Sequence, residues 1–544
     1  VEIATPLLPE PLTGAVYIAT PTGAEPYRLL VHASEGSLAV SLSGRVEADP
    51  NTGQLTAVVE NTLQLPFSDL ELRLFGGPNA VLANPPACGP ATSVANLTAH
   101  LTPELDAHAE ASSTFDIDDD GKGAPCPSPS FTPAFTAGTT PALAGQPATF
   151  SFDLSREDGQ PYLSSFAVRL PPGLTGLLSS LSPCPEPQAA TGACSASAQV
   201  GTATVAAGAG ADPLQVSGPV YLTGPYEGAP FGLAAVIHAA AGPFDLGTMV
   251  VRSRVLVDPA DLALTVASDP LPQIMDGIPL RLQALRISLD RPGFVIDPTS
   301  CAPRAISATI ADREGAQALL SSPFQVSGCA RLRFSPRLTA ATEAHGTSKG
   351  DGASLALKIL SPSRSTATMR SVIVELPAAL RPRLSTIQHA CLSTGAAISP
   401  SACPLESRIG VATVRTPVLA APLTGAIYLV AHGGANLPTL VMALQGDGVA
   451  VQLPGVLAIS RRGAISAAFR ALPDAPISAF ELSLPRGPHS ILGATANPCA
   501  GALKLPYELT DQGGARIDAT ARIAVSGCPR AQGAHRPRRR RSRR

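Results

Sequence analysis

A pattern of roughly 200 residues occurs twice in this sequence and part of it occurs a third time, so the fold must be a tandem of like units and not one continuous core. FTPAFTAGTTPALAGQPATFSFDLS (131–155) aligns with FSPRLTAATEAHGTSKGDGASLALKIL (334–360), and FAVRLPPGL (166–174) aligns with VIVELPAAL (372–380). Each is followed by a cysteine pair, Cys184 and Cys194 or Cys391 and Cys403. SAQVGTATV or SRIGVATV comes next, then a glycine–tyrosine segment, VSGPVYL or LTGAIYL. Each copy closes on a second pair, Cys301 and Cys329 or Cys499 and Cys528. Residues 1–130 read as the back half of a further copy, so in chain order the first copy is partial, the second is 131–333 and the third is 334–529. PLTGAVYIA (11–19) is its glycine–tyrosine segment, RVEADPNTGQLTAVV (45–59) parallels RVLVDPADLALTVAS (254–268), and Cys126 is its closing cysteine. The expected organisation is a partial unit at 1–130, complete units at 131–333 and 334–529, and a disordered Arg-rich tail at 530–544.

Within the units, apolar and polar residues alternate with period two, as in Ser151-Phe152-Asp153-Leu154 and Arg281-Leu282-Gln283-Ala284-Leu285-Arg286-Ile287. Gly and Pro, 48 and 55 residues, are spread through the chain and break it into short segments. Helical periodicity is scarce; 94–111 and 189–198 could each hold a turn or two. The pattern predicts an all-β fold of tandem antiparallel β-sandwich-like modules.

The ten cysteines are even in number and recur at matching places, with 9, 11, 27, 28 and 37 residues between neighbours. Metal sites need closer pairs or nearby histidines, so disulfides are expected: Cys88–Cys126, Cys184–Cys194, Cys301–Cys329, Cys391–Cys403 and Cys499–Cys528. Such a set implies an oxidising, extracytoplasmic compartment. The first residue is Val and not Met, so the N-terminus reads as processed or truncated, and a missing signal peptide carries no weight. No run of about 18 apolar residues suggests a membrane span.

Chemical signatures are few. Gly346-Thr347-Ser348-Lys349-Gly350 matches the Gly-x-Ser-x-Gly pattern, but it lies in a polar stretch that the other copy replaces with TAGTTPALAGQPA, so it reads as a chance match. The nine histidines form no ligand spacing, and no phosphate loop or dinucleotide fingerprint is present. With no Trp and seven Tyr, a sugar-stacking platform is hard to build. The densest aromatic patch, Tyr221, Tyr226 and Phe231 in YLTGPYEGAPFG, reads at least as well as a structured turn. The stretch STFDIDDDGKGAPC (113–126) begins like a calcium loop, with Asp116, Asp118 and Asp120 as candidate ligands. Its twelfth position is Pro127, where a bidentate Glu belongs. By alignment with Phe324-Gln325-Val326-Ser327, Phe115 and Ile117 should face a core and Asp116 and Asp118 should face outward. Residues 530–544 hold eight Arg and no acid, an arm suited to unspecific contact with anionic polymers; without interleaved aromatics it is not a reader of nucleic-acid sequence.

Taken together, LPPGL, PCPE, SAQVGTATV, VSGPVYLTGPYEGAPFGL, GPFDLGTMVVRSRVLVDP and DRPGFVIDPTSCAP resemble repeats of large uncharacterised exported proteins of actinobacteria. The resemblance is strongest over 166–333, and implies export and a repetitive surface architecture, with no catalytic residues. The reading is a non-enzymatic extracellular repeat protein with a structural, spacer or adhesive role at the cell surface, without a cofactor unless calcium binds, and with an unidentified surface or cell-wall partner. Its alternative is a glycan-binding protein or hydrolase with a site at a module junction.

Overall fold

A computed structural model of the chain describes all residues except 23–26, 61, 78–79, 85–87, 101–107, 120–129, 345–350, 362–365, 394, 396–397, 434–436, 460–464 and 529–544. The fold is all-β and largely antiparallel, with two short α-helices at Glu186–Thr191 and Leu384–Ile387 among the described residues. The alternating segments form strands because one face of each enters an apolar core. In Pro147–Ser155, for example, Phe150, Phe152 and Leu154 are buried while Asp153 lies on the other face.

The two complete copies share one strand order. In the second copy it runs Ala134–Thr140, Pro147–Ser155, Leu282–Leu289, Gln199–Ala207, Leu214–Thr223, Phe231–Ala241, Phe244–Val257, Leu264–Ser268, Leu163–Arg169, Arg304–Asp312, Gln317–Phe324. In the third it runs Arg337–Glu343, Leu355–Leu360, Ala479–Leu484, Arg408–Arg415, Leu423–Ala431, Thr439–Gly446, Val449–Ile459, Ile465–Phe469, Met369–Glu375, Lys504–Asp511, Arg516–Ser526. In the third copy the last strand pairs in parallel with the first, Ala340 opposite Ile523, and the sheet closes on itself. In the second copy a side chain makes the same junction: Ser322 Oγ donates to Ala137 O at 2.9 Å and accepts from Ala137 N at 3.1 Å. Both faces of each sandwich therefore belong to one continuous curled sheet, which leaves few open edges.

Two local features recur with the repeat. Gly14, Gly218 and Gly425 sit where the neighbouring strand comes so close that a Cβ would meet a carbonyl oxygen at 1.8 Å (His32), 1.9 Å (Val236) and 1.8 Å (Ala443). This is why a glycine precedes each Val/Ile–Tyr. The last hairpin of each complete copy turns on a buried aspartate, Asp312 Oδ1 accepting from Ala316 N at 2.7 Å and Asp511 Oδ1 from Ala515 N at 2.8 Å. Disulfides join Cys184–Cys194, Cys301–Cys329, Cys391–Cys403 and Cys499–Cys528. Cys88 is also disulfide-bonded, whereas Cys126, its expected partner, lies outside the described residues.

The N-terminal part departs from expectation. Its strands Glu2–Ala4, Leu12–Ala19, Arg28–Glu35, Leu38–Ala48, Leu55–Val59 and Asp69–Glu71 make a sheet over a small core of Ile3, Leu12, Ala33 and Val40. Gly89–Thr98 and His108–Ile117 form a separate two-stranded hairpin. Phe115 is 53% exposed and does not face a core. The reason is topological: in the second copy the equivalent hairpin is flanked by Leu163–Arg169, and among the described residues no strand takes that place here. Helix is also absent from the described part of 94–111, which the cross-strand ladder holds extended, while the helix expected at 189–198 lies earlier, at Glu186–Thr191. The sheet docks on the second unit through Tyr27 against Phe244, ring centroids 5.7 Å apart, and through Arg281 Nη2 donating to Asn84 O at 2.6 Å.

Candidate functional surfaces

The strand order brings one feature of both complete units to the outside, invisible until the copies are superposed strand by strand. On the outward face of the third unit, Lys358 and Glu481 are cross-strand neighbours with Nζ and Oε1 2.7 Å apart. The pair lies at the floor of an open concavity of about 480 Å³ with Thr339, Thr413 and Ser483 around it. The hydrogen bond from Lys358 holds the Glu481 carboxyl below the usual carboxylate range. At the matching positions of the second unit stand Asp153 and Arg286, also paired, with the charges exchanged between strands. Ser151, Ser288, Thr202 and Thr204 lie on that same face. The two faces share one strand pairing and one local charge balance but have opposite orientations of the ion-pair dipole. Chemically they offer hydroxyls and a neutralised pair: groups for hydrogen bonding a polar partner, not for proton transfer. No group of three or more His, Cys, Asp or Glu able to hold a metal occurs among the described residues.

The interior spaces are lined mainly by apolar side chains. The interior of the third unit holds a cavity of about 140 Å³ and that of the second about 70 Å³. A third space, about 180 Å³, lies between the two units and is lined by Phe231, Val257 and Leu262 from one and Val418, Leu444 and Val451 from the other. The carboxylate in its wall is Asp474, which is fully engaged. It accepts Thr299 N at 2.8 Å, Thr299 Oγ1 at 2.6 Å, Ser300 N at 2.9 Å and the Thr368 hydroxyl. Leu178 N donating to Val418 O at 2.9 Å and Ser179 Oγ to Pro417 O at 2.6 Å extend the junction. Sequence inspection missed Asp474, because its donors from the other copy are 174 and 175 residues away.

The aromatic patch is occupied by the fold. Tyr221 packs on the Cys184–Cys194 loop, Phe231 reaches the core of the third unit, and Tyr226 lies under Arg252, whose guanidinium carbon is 4.1 Å from the ring centroid. Tyr226 Oη donates to Asp269 Oδ2 at 2.5 Å, and this bond, with burial, pushes the phenol up to about 12. Arg252 in turn clamps Glu186 through two bonds of 3.0 and 2.8 Å and so fixes the disulfide loop to the sheet. Tyr428 occupies the equivalent place beside Cys403. Tyr17, which has no such loop above it among the described residues, is 55% exposed.

Of the candidate calcium ligands, Asp116 pairs with Pro90 at the exposed end of the isolated hairpin, Asp118 follows it, and Asp120 lies outside the described residues. Gly346-Thr347-Ser348-Lys349-Gly350 and the tail 530–544 lie outside them as well. Among the described residues no helix is long and apolar enough to cross a membrane.

No protein-family model and no curated protein matches the chain. Among solved structures, the N-terminal domain of the Streptococcus gordonii adhesin Sgo0707 matches at 8% identity over 95% of this chain and 86% of that one, with a TM-score of 0.16. The partial N-terminal region of an enterococcal surface protein matches at 9% identity over 72% and 93%, TM-score 0.15. A Corynebacterium diphtheriae protein described as membrane-anchored matches at 10% over 80% and 96%, TM-score 0.15. At these scores the likeness carries no argument about this chain.

Proposed function

We propose that the chain is a non-enzymatic, exported repeat protein that acts at the cell surface as a rigid spacer and contact array. The observation that carries this reading is the recurrence of one outward, hydroxyl-flanked ion pair at matched positions of both complete units, Lys358–Glu481 in one and Asp153–Arg286 in the other. Repeated shallow faces on a stiff support multiply weak contacts, which suits adhesion. Catalysis would call for one deep polar site. The disulfides support an oxidising, extracytoplasmic location. The module junction, where a hydrolase site was the alternative, is lined by apolar side chains apart from Thr175, Thr416 and a carboxylate already accepting four hydrogen bonds.

The test is co-sedimentation of the full chain with insoluble bacterial cell-wall fragments. Binding is expected, with a loss of about tenfold or more when Asp153, Arg286, Lys358 and Glu481 are all replaced by Ala, and a smaller loss when only one unit's pair is replaced. Exposed ion pairs add little stability, so these variants stay folded. Absence of binding, or binding indifferent to all four substitutions, removes the proposal.

A further inference from the structure

The interiors of the two complete units are the same space, built from aligned strands, yet one is twice as empty. Both are lined by matching positions: Val168 and Val374, Val205 and Val414, Val220 and Ile427, Ile287 and Leu482, Leu289 and Leu484. The second unit fills its centre with Phe152 and Phe166, whose rings meet edge-on at 5.5 Å. The third unit has Leu357 and Val372 at those places, and the larger side chains at Phe480 (for Leu285) and Met442 (for Ala235) do not make up the difference, since about 140 Å³ stays open against about 70 Å³. The lining carries no polar surface. Two lining side chains, Leu437 and Ile459, are also 39% and 50% exposed, so the cavity reaches the surface between the start of Thr439–Gly446 and the end of Val449–Ile459. A closed apolar void of this size is dry and takes up small apolar molecules. One with an apolar mouth admits a chain whose other end stays in water.

We infer that the third unit is a binding site for the end of a hydrocarbon chain, an acyl tail from a fatty acid or a lipid, entering past Leu437 and Ile459. The absence of any polar group in the wall selects against a head group inside and for saturated hydrocarbon, and the second unit, filled by its aromatics, is the unliganded counterpart.

Calorimetric titration of the full chain with decanoic acid, and its thermal melting in decane-saturated buffer, test this. Saturable binding of one decanoate per chain, and a raised Tm with decane, are expected. Val372→Phe and Leu357→Phe, made separately, restore the second unit's side chains and should each weaken decanoate binding about tenfold or more without lowering the Tm. If either core variant misfolds, Ile459→Lys at the exposed mouth gives the same reading, weaker decanoate binding in a folded protein. Retention on phosphatidylcholine vesicles lost with Ile459→Lys identifies a tail still in a lipid, and decanoate binding without vesicle retention identifies a free chain. The inference is overturned if neither decanoate nor decane binds, or if folded variants with a filled cavity or altered mouth bind decanoate as well as the parent.

Discussion

Asp297 shows how the repeat can be used to read a single side chain. It is 1% exposed, its Oδ2 accepts Leu143 N at 2.9 Å, and its Oδ1 has no hydrogen-bond partner. Burial raises its pKa to about 6, outweighing the opposite pull of the neighbouring Thr139 hydroxyl and of the Leu143 N–H. Because the folded value lies above the unfolded one, the native state binds the proton more tightly. Stability from this group is therefore present below about pH 4 and is lost as pH rises towards and through 6. The aligned residues are Asn84 and Asn497, neutral amides before the same proline. Asp297→Asn should be tolerated, and at pH 7 should stabilise the fold by up to about 3 kcal/mol, the linkage value of roughly two pH units. Denaturant midpoints of parent and variant should converge as pH is lowered to about 4. A constant difference across that range would show that the carboxyl is ionised throughout.

At the scale of strands and loops, the glycine–tyrosine segment combines two requirements, a close backbone approach and a tyrosine over a disulfide loop. Gly218→Ala places a methyl 1.9 Å from Val236 O and should cost on the order of 3 kcal/mol, whereas Gly138→Ala, with nothing within 4 Å, should be close to neutral. Equal chemical melting curves for the two variants would contradict the ladder geometry. Removing the bridge with Cys184→Ala and Cys194→Ala should cost about 2–3 kcal/mol through the freed loop. It should also increase the accessibility of Tyr221, which rests on that loop, to surface-labelling reagents. These elements were legible in the sequence because the repeat printed them more than once: the glycine, the tyrosine, the cysteine pairs and the alternating strands all recur in register. The hairpin at 89–117 was misread for the converse reason. Alignment assigned Phe115 the buried role of Phe324, but burial depends on a flanking strand, which alignment does not supply. The paired outward charges could have been noticed as Asp against Lys and Arg against Glu at matched positions, but only sheet pairing makes them neighbours.

At the scale of the molecule, what the sequence could not disclose is that the two complete units are locked together. Strand closure joins residues as far apart as Ala137 and Ser322, and the inter-unit lock joins Thr299, Thr368 and Asp474; neither leaves a periodic trace. Tandem units joined by a loose linker would unfold independently. Here Phe231 and Leu262 of one unit pack into the core of the next, and Asp474 accepts donors from both sides, including Thr299 and Ser300 of the second unit and Thr368 of the third. Asp474→Ala removes the shared acceptor and strands Thr299 N, Ser300 N and one of the two threonine hydroxyls, which can otherwise bond only each other, at a site where Asp474 itself is 7% exposed and Thr299 5%. The cost should be on the order of 3–5 kcal/mol, the range for breaking a buried polar network by deleting one partner. Because that cost falls on the contact between units and not on either core, scanning calorimetry should show a single cooperative transition in the parent resolving into two in Asp474→Ala. The lower-melting one should be joined by increased protease cleavage near 329–336, where the chain passes from one unit to the next. A variant that still melts in one transition, at a merely lower temperature, would place the coupling in the apolar contacts and not in the aspartate. Rigidity at this joint is what a spacer needs, since a reach set by two fixed units is lost once they can fold back on each other.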